Sequence, residues 1–126
     1  MTITVLSQTK DHYVELTGSG KFSMSAAVDL LRHSLEFAIE NDRAAALIDV
    51  TNVNGNPDQL ERFELGIFIP EEQLRRDKEV ALAIVGKQPL IDPNRFMEMV
   101  AVNRCAVLKV FEDMDEAIRW LEYTTA

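Results

Sequence analysis

The stretch Ala44–Val50, which reads AAALIDV, is an almost continuous apolar run with a single aspartate near its end. Strands of this composition are typical of parallel sheets, because helices cover both of their faces. A second apolar run extends from Val80 to Val85 and is closed by Gly86, and a third extends from Ala106 to Phe111. The three runs predict the centre of a parallel sheet.

Helical segments with an apolar stripe separate these runs. The first is predicted from a cap at Ser23 or Ser25 to about Asn41, because its apolar residues recur at a spacing of three to four. These residues are Met24, Ala27, Val28, Leu31, Leu35, Ala38 and Ile39. The next is predicted to begin with Asn56 as its cap, Pro57 at its first position and Gln59 placed to reach back.

The remaining helices follow from the same signals. Leu60, Phe63 and Ile67 form the predicted inward stripe of the helix that Pro57 opens, and Pro70 is expected to end or restart that helix. Asp92-Pro93 repeats the combination of cap and proline, and Asp113 with Glu116 resembles a capping box before the last helix. Each apolar run is thus followed by a helix.

The amino-terminal region predicts a hairpin. Ile3–Ser7 and Tyr13–Thr17 alternate apolar and polar residues, and Lys10-Asp11-His12 lies between them. The element order β-β-α-β-α-β-α-β-α predicts one α/β domain over residues 1–126, with a mostly parallel sheet of about five strands and an antiparallel edge hairpin. Ligands and partners of such sheets meet the loops beyond the carboxyl ends of the strands.

Composition excludes several classes of function. The 126 residues contain 13 basic and 21 acidic side chains, a net charge of −8, which argues against binding to nucleic acid or to an anionic membrane. A single cysteine, Cys105, excludes an intrachain disulfide and is expected to be buried at the start of the last strand. With no apolar run of membrane-spanning length and no signal peptide, a cytoplasmic protein is expected.

The chemistry-bearing residues are few. The two histidines, His12 and His33, have no cysteine or carboxylate at ligand spacing, so no metal site and no cofactor are predicted. No catalytic constellation is visible either, which disfavours an enzyme. The sequence therefore favours a protein that works by binding.

The densest polar cluster follows the first apolar strand. Its candidate binding residues are Asp49, Thr51, Asn52, Asn54, Gly55 and Asn56. They could form a recognition loop, with backbone N–H groups at the next helix start able to hold an anion. The alternative is loop chemistry, in which Asn and Gly supply positive φ angles and Asp49 anchors the turn.

Three further candidates accompany this cluster. Lys87 and Arg95 follow at the same predicted end of the sheet and could attract a small anion or an acidic segment, unless they only belong to a solvated loop and a capped helix. Phe68 belongs to the apolar stretch Leu65–Ile69, which could be exposed for self-association or for a partner. The alternative places that stretch between the sheet and a neighbouring helix.

Four segments resemble the STAS-like superfamily, and within it the bacterial group similar to the sporulation anti-sigma-factor antagonist (SpoIIAA-like). They are Ala46–Val53, Leu60–Gly66, Ala83–Lys87 and Val107–Phe111. In the antagonist family a partner kinase phosphorylates a serine at the helix start after the third strand, which switches binding to the anti-sigma factor. Asp49 and Thr51 match the end of that strand, but Asn54-Gly55-Asn56-Pro57 stands where the serine would be. The phosphorylation switch is therefore not carried over.

The resemblance implies a regulatory protein-interaction domain that docks through the loop after the third strand and the helix that Pro57 opens. The partner is expected to be a protein, including a second copy in a homodimer. A related branch of the group is similar to SEC14-type lipid-binding domains, which implies an alternative function. The chain would then carry or sense a small apolar ligand in a pocket under the Leu60–Ile69 helix, and an apolar cavity of ~300 Å³ or more is expected.

Overall fold

The computed structural model describes residues 3–125 and forms a five-stranded sheet with four helices. In chain order the elements are β1 (Ile3–Thr9), β2 (Val14–Lys21), α1 (Met24–Glu40), β3 (Ala45–Asn54), α2 (Gln59–Leu74), β4 (Ala81–Val85), α3 (Phe96–Val102), β5 (Leu108–Phe111) and α4 (Met114–Thr124). This order confirms the predicted alternation of strands and helices.

The strands follow one another across the sheet in the order β1-β2-β3-β4-β5. β1 and β2 are antiparallel, and every later pair is parallel, so the predicted edge hairpin and parallel centre are both confirmed. β3 lies in the middle of the sheet, as its apolar composition predicts. It extends to Asn54, beyond the predicted end at Val50, so Asp49, Thr51, Asn52 and Asn54 belong to the strand and not to a loop. The loops beyond the carboxyl ends of β3 and β4 carry Gly55, Asn56, Lys87 and Arg95.

The sheet separates two cores. Ile48 and Val50 belong to a main core on the side of α1, α2 and α3, whereas Ala45 and Leu47 belong to a smaller core under α4. This alternation along β3 is the period of two that a strand buried on both faces requires. Asp49 therefore points to the α4 side of the sheet.

Two predicted helix starts are wrong in position. α2 is capped by Asp58 and not by Asn56, because Asp58 and Glu61 satisfy each other's backbone N–H groups in a reciprocal capping box. α3 begins only at Phe96, and its cap Arg95 has a left-handed φ of 53°. A turn intervenes after Asp92, whose carboxylate accepts a hydrogen bond from the Phe96 amide across that turn.

Two further expectations are corrected. Pro70 lies inside α2, which continues to Leu74, because burial of Ile69 and Pro70 outweighs the loss of one helical hydrogen bond. Cys105 is exposed and not buried, since the last strand begins only at Leu108. Cys105 occupies a left-handed turn with a φ of 71°.

Candidate functional site

Two side chains in the second half of β3 hydrogen-bond to each other. The Asp49 carboxylate accepts hydrogen bonds from the Thr51 hydroxyl at 2.7 Å and from the Thr51 amide at 3.0 Å. Gly55 has a φ of 153°, and an added Cβ would lie 2.6 Å from the Phe22 side chain, so only glycine fits there. Asp49 and Thr51 thus bond within β3 and Gly55 shapes the turn after it, whereas the side chains of Asn52 and Asn54 are exposed.

A buried arginine connects this turn to the loop after β4. Arg62, in the first turns of α2, is only 8% exposed. Its guanidinium donates to the Leu90 carbonyl at 2.7 Å, to the Pro89 carbonyl at 3.0 Å and to Asn56 Oδ1 at 3.2 Å. It also lies 3.6 Å from the Asp92 carboxylate. Arg62 therefore fixes both loops at the carboxyl end of the sheet.

The two predicted basic residues behave differently from each other. Arg95 donates to the Asp92 carbonyl at 2.9 Å and to the Glu112 carboxylate at 3.0 Å, so its charge is already paired. Lys87 is exposed at the surface. Arg95 lines the main-core side of the sheet, opposite the face to which Asp49 points. The structure therefore does not bring Asp49, Lys87 and Arg95 into one cleft.

An apolar cavity of about 90 Å³ lies beneath these loops. It is partly open and lies between α1, β3, the start of α2 and α3, and the side chains that line it include Leu30, Val53, Leu65, Ile91 and Met97. Arg62, Asp92, Arg95 and Glu98 provide the polar part of its wall. The volume is smaller than the expected ~300 Å³ of usual ligand sites.

The apolar surface of α2 differs from the predicted one. Leu60 is 63% exposed and Phe63 is 36% exposed, although both were expected to face inward. The buried stripe of α2 instead runs through Arg62, Leu65 and Ile69. Residues at this spacing of three and four lie on one face of a helix, and that face packs against the sheet. Leu60 and Phe63 lie outside this stripe.

The stretch that was expected to be exposed is largely covered. Phe68 and Ile67 are half-buried and Ile69 is 1% exposed, so the alternative of a helix packed between its neighbours is correct for most of Leu65–Ile69. The guanidinium of Arg32 from α1 lies 5.2 Å from the centre of the Phe68 ring. Phe68 therefore serves the contact between α1 and α2.

α3 packs closely beside α2 and adds exposed apolar side chains. A Cβ at Gly66 would lie 2.7 Å from the Val100 side chain and 2.9 Å from the Met97 carbonyl, so glycine allows the two helices to touch. Arg104, just after α3, stacks 5.7 Å from the Phe63 ring. Met99 is 52% exposed and Val102 is 46% exposed. We call Leu60, Phe63, Met99 and Val102 the α2–α3 surface.

Sequence reasoning missed Arg62 and the α2–α3 surface. The available signal was the spacing of Arg62, Leu65 and Ile69, which marks a continuous stripe with a charged residue inside it. A charged residue within an apolar stripe is normally assigned to the surface, because arginine is rarely buried unless it is paired. Its carbonyl partners in the loop after β4 cannot be identified from spacing.

A cluster of charges joins α1 to the far end of α2. Glu72 is 4% exposed, and its carboxylate lies 3.0 Å from Arg76, 3.3 Å from Arg75 and 3.5 Å from Arg32. Burial by itself raises the pKa of Glu72, but the hydrogen bonds and positive charges of Arg76 and Arg32 outweigh it and lower the pKa below its usual value. Glu72 is therefore ionised in the folded protein at neutral pH.

Residues 3–125 contain no group of three histidine, cysteine or acidic side chains arranged to hold a metal ion. None of the helices within this range is both long enough and apolar enough to span a bilayer.

No protein-family model and no curated protein matches the chain. Among solved structures, it is similar to an anti-sigma factor antagonist from Mycobacterium paratuberculosis, with 16% identity, a TM-score of 0.62 and coverage of 96% of this chain and 95% of that one. It is also similar to an uncharacterized protein from Shewanella loihica with a SpoIIAA-like fold, with 23% identity, a TM-score of 0.52 and coverage of 95% and 94%. Strand order, helix placement and these two comparisons together give the chain the SpoIIAA-like fold.

Proposed function

We propose that the chain is a non-enzymatic regulatory module of the cytoplasm that binds a protein partner through the α2–α3 surface. The observation that carries the proposal is the exposure of Leu60, Phe63, Met99 and Val102 on two helices that pack against each other. Exposed apolar side chains on neighbouring elements are typical of protein-binding sites. One structural neighbour is named an anti-sigma factor antagonist, a name that describes action on another protein, which supports the proposal.

The carboxyl ends of β3 and β4, with the loops after them, supply the polar rim of the proposed site. Asn52, Asn54, Asn56 and Lys87 are exposed at the carboxyl end of the sheet, next to the start of α2. Uncharged amides and a lysine suit the polar rim of an interface. We include Asn54 and Lys87 in the proposed docking site, which Asp49 and Thr51 support within β3 and Gly55 and Arg95 support in the loops. The phosphorylation switch of the antagonist family is not part of the proposal.

Substitution of the aromatic residue on this surface tests the proposal. We expect Phe63→Glu to abolish binding in a pull-down from the native host, because the apolar contact would have to bury a charge. Since Phe63 is already 36% exposed, the fold should tolerate the change, which circular dichroism would verify.

Leu74→Glu is the matched control for Phe63→Glu. Leu74 lies on the same helix and is 80% exposed, so the variant adds the same charge away from the α2–α3 surface. Proteins retained by the wild type and by Leu74→Glu, but not by Phe63→Glu, would support the proposal. Equal retention by all three proteins would remove the α2–α3 surface as the docking site.

The cavity favours a second candidate function, the binding of a small apolar molecule. Its walls are largely apolar, and it lies at the carboxyl ends of β3 and β4, where α/β sheets commonly bind ligands. A volume of about 90 Å³ restricts the ligand to a small molecule rather than a complete lipid chain. Closed apolar cavities of about 150 Å³ in proteins bind xenon and benzene.

Xenon and benzene are therefore suitable probes of the cavity. We expect benzene at tenfold excess over its Kd to raise the Tm by about 5 °C and xenon to show a bound signal by NMR. Ala27→Leu should abolish both effects, because Ala27 lines the cavity and the larger side chain fills it. Ser25→Leu, on the exposed side of the same helix, should leave them unchanged. Absence of binding by the wild type would show that the cavity is not a site for small apolar molecules.

A further inference from the structure

We propose that β1 pairs with the β1 strand of a second copy of this chain, so that two sheets join across a twofold axis. β1 is the first strand of the sheet and has only β2 as a neighbour among the described residues. It extends over seven residues, from Ile3 to Thr9, whereas the strand at the other edge, β5, has four. The longer edge offers a row of backbone groups to another strand.

The hairpin geometry identifies which backbone groups face outward. The Lys10 amide donates to the Tyr13 carbonyl at 2.8 Å, so this pair belongs to the hydrogen-bonded positions of the β1–β2 ladder. Hydrogen-bonded and non-hydrogen-bonded positions alternate along an antiparallel ladder. In the register of β1 with β2, the amides and carbonyls of Ile3, Val5, Ser7 and Thr9 therefore point to the open edge.

β1 lacks the features that protect edge strands. Its sequence ITVLSQT contains no charged residue, proline or glycine. Natural edge strands are usually shielded by lysine, by proline or by a bulge. Ser7 faces α1, where its hydroxyl lies 3.1 Å from His33 Nε2, so Leu6 points to the opposite face of the sheet. Leu6 is 67% exposed, and α4 covers that face only over β3, β4 and β5.

A second copy fits this edge better than another partner for two reasons. The chain carries a net charge of −8, and β1 is an uncharged strip on which two such chains can meet without direct repulsion. The strand is also self-complementary about Leu6. An antiparallel twofold arrangement places Leu6 opposite Leu6, Val5 opposite Ser7 and Thr4 opposite Gln8, and the outward backbone groups then pair with each other.

Cross-linking tests this register directly. Leu6 would occupy a non-hydrogen-bonded position, where opposing Cα atoms lie about 4.5 Å apart, a separation that a disulfide can bridge. In a Cys105→Ser background, which removes the exposed native thiol, we expect Leu6→Cys to form a disulfide-linked dimer on mild oxidation. Thr4→Cys should remain monomeric under the same conditions, because the two cysteines would be about four residues out of register.

Sedimentation velocity on the protein without added cysteines provides the second measurement. A strand contact alone buries little surface, so we expect a dimer whose population rises with protein concentration. Leu6→Lys should raise the dimer Kd at least about tenfold, because it places like charges opposite each other. Leu74→Lys, which adds the same charge at an exposed site on α2, should not change it.

Two results would overturn the proposal. One is a chain that stays monomeric at millimolar concentration and in which Leu6→Cys does not cross-link faster than Thr4→Cys. The other is a dimer that Leu6→Lys leaves intact but Phe63→Glu dissociates, which would assign self-association to the α2–α3 surface. The pull-down with Phe63→Glu does not involve β1, so the docking proposal can fail or succeed independently of this one.

Discussion

Replacement of Arg62 by methionine is expected to lower the free energy of unfolding by about 3 kcal/mol or more. The change removes the donors that hold the carbonyls of Pro89 and Leu90, and it leaves Asp92 without its buried cation. A fully buried acceptor that loses its partner costs about 1–3 kcal/mol, and these carbonyls cost less because their loop is partly exposed and water reaches them. Thermal unfolding should show a Tm lower by roughly 10 °C or more.

Arg119→Met is the matched control for Arg62→Met. Arg119 lies on α4 and is exposed, so its loss should change the stability by no more than about 0.5 kcal/mol. If the two variants were equally stable, Arg62 would not hold the loop after β4, and the attachment of that loop to α2 would need another explanation.

The fold could be predicted because its signals are local and repeated. Val80–Val85 is apolar throughout and Ala44–Val50 is so except for Asp49, which marks strands covered on both faces, and amphipathic segments follow them. The hairpin at β1 and β2 is likewise encoded in alternation over a few residues. Such patterns specify which elements form and in what order, and right-handed crossovers leave few ways to assemble them.

The details of α2 could not be predicted in the same way. Asn56, Asp58 and Pro57 are all common at helix starts, and only the reciprocal bonds of Asp58 with Glu61 select one cap. The apolar side chains of Leu60 and Phe63 suggested the inward face, whereas Arg62 occupies it. Its burial depends on carbonyls some 28 residues away in sequence, which no local pattern reveals.

The candidate site shows the same division between local and distant information. The polar cluster was predicted to follow the strand, but β3 extends to Asn54 and contains Asp49 and Thr51, which bond to each other, while Gly55 avoids Phe22. Contacts with other residues of the protein distinguish the residues that fix the backbone here from those whose side chains are exposed. Asn54 and Lys87 remain exposed, whereas Arg95 is paired with Glu112.

Glu72→Gln is expected to destabilise the protein by about 2 kcal/mol at neutral pH. The variant keeps the shape of the side chain but removes the charge that attracts Arg32, Arg75 and Arg76. Breaking a buried ion pair costs about 3–5 kcal/mol, and the smaller value here reflects that Arg32 and Arg75 are half or more exposed and regain solvation.

The pH dependence separates the charge of Glu72 from its packing. Because the folded protein lowers the pKa of Glu72 below its usual value, the ionised side chain stabilises the fold at pH values above its unfolded pKa. That stabilisation is lost as the pH falls through the lower folded-state pKa. The difference in stability between the wild type and Glu72→Gln should therefore be largest near pH 7 and should shrink in the acid range, as measured by urea unfolding at several pH values.

Glu71→Gln provides the comparison that isolates this effect. Glu71 precedes Glu72 on α2 and is exposed, so its substitution removes the same charge without touching the arginine cluster. We expect a change in stability of no more than about 0.5 kcal/mol for Glu71→Gln at neutral pH. If the loss of stability in Glu72→Gln stayed constant down to low pH, the shape and hydrogen bonding of Glu72, rather than its charge, would hold α1 to α2. A loss that disappears with acid assigns that contact to the ionised Glu72 and the three arginines around it.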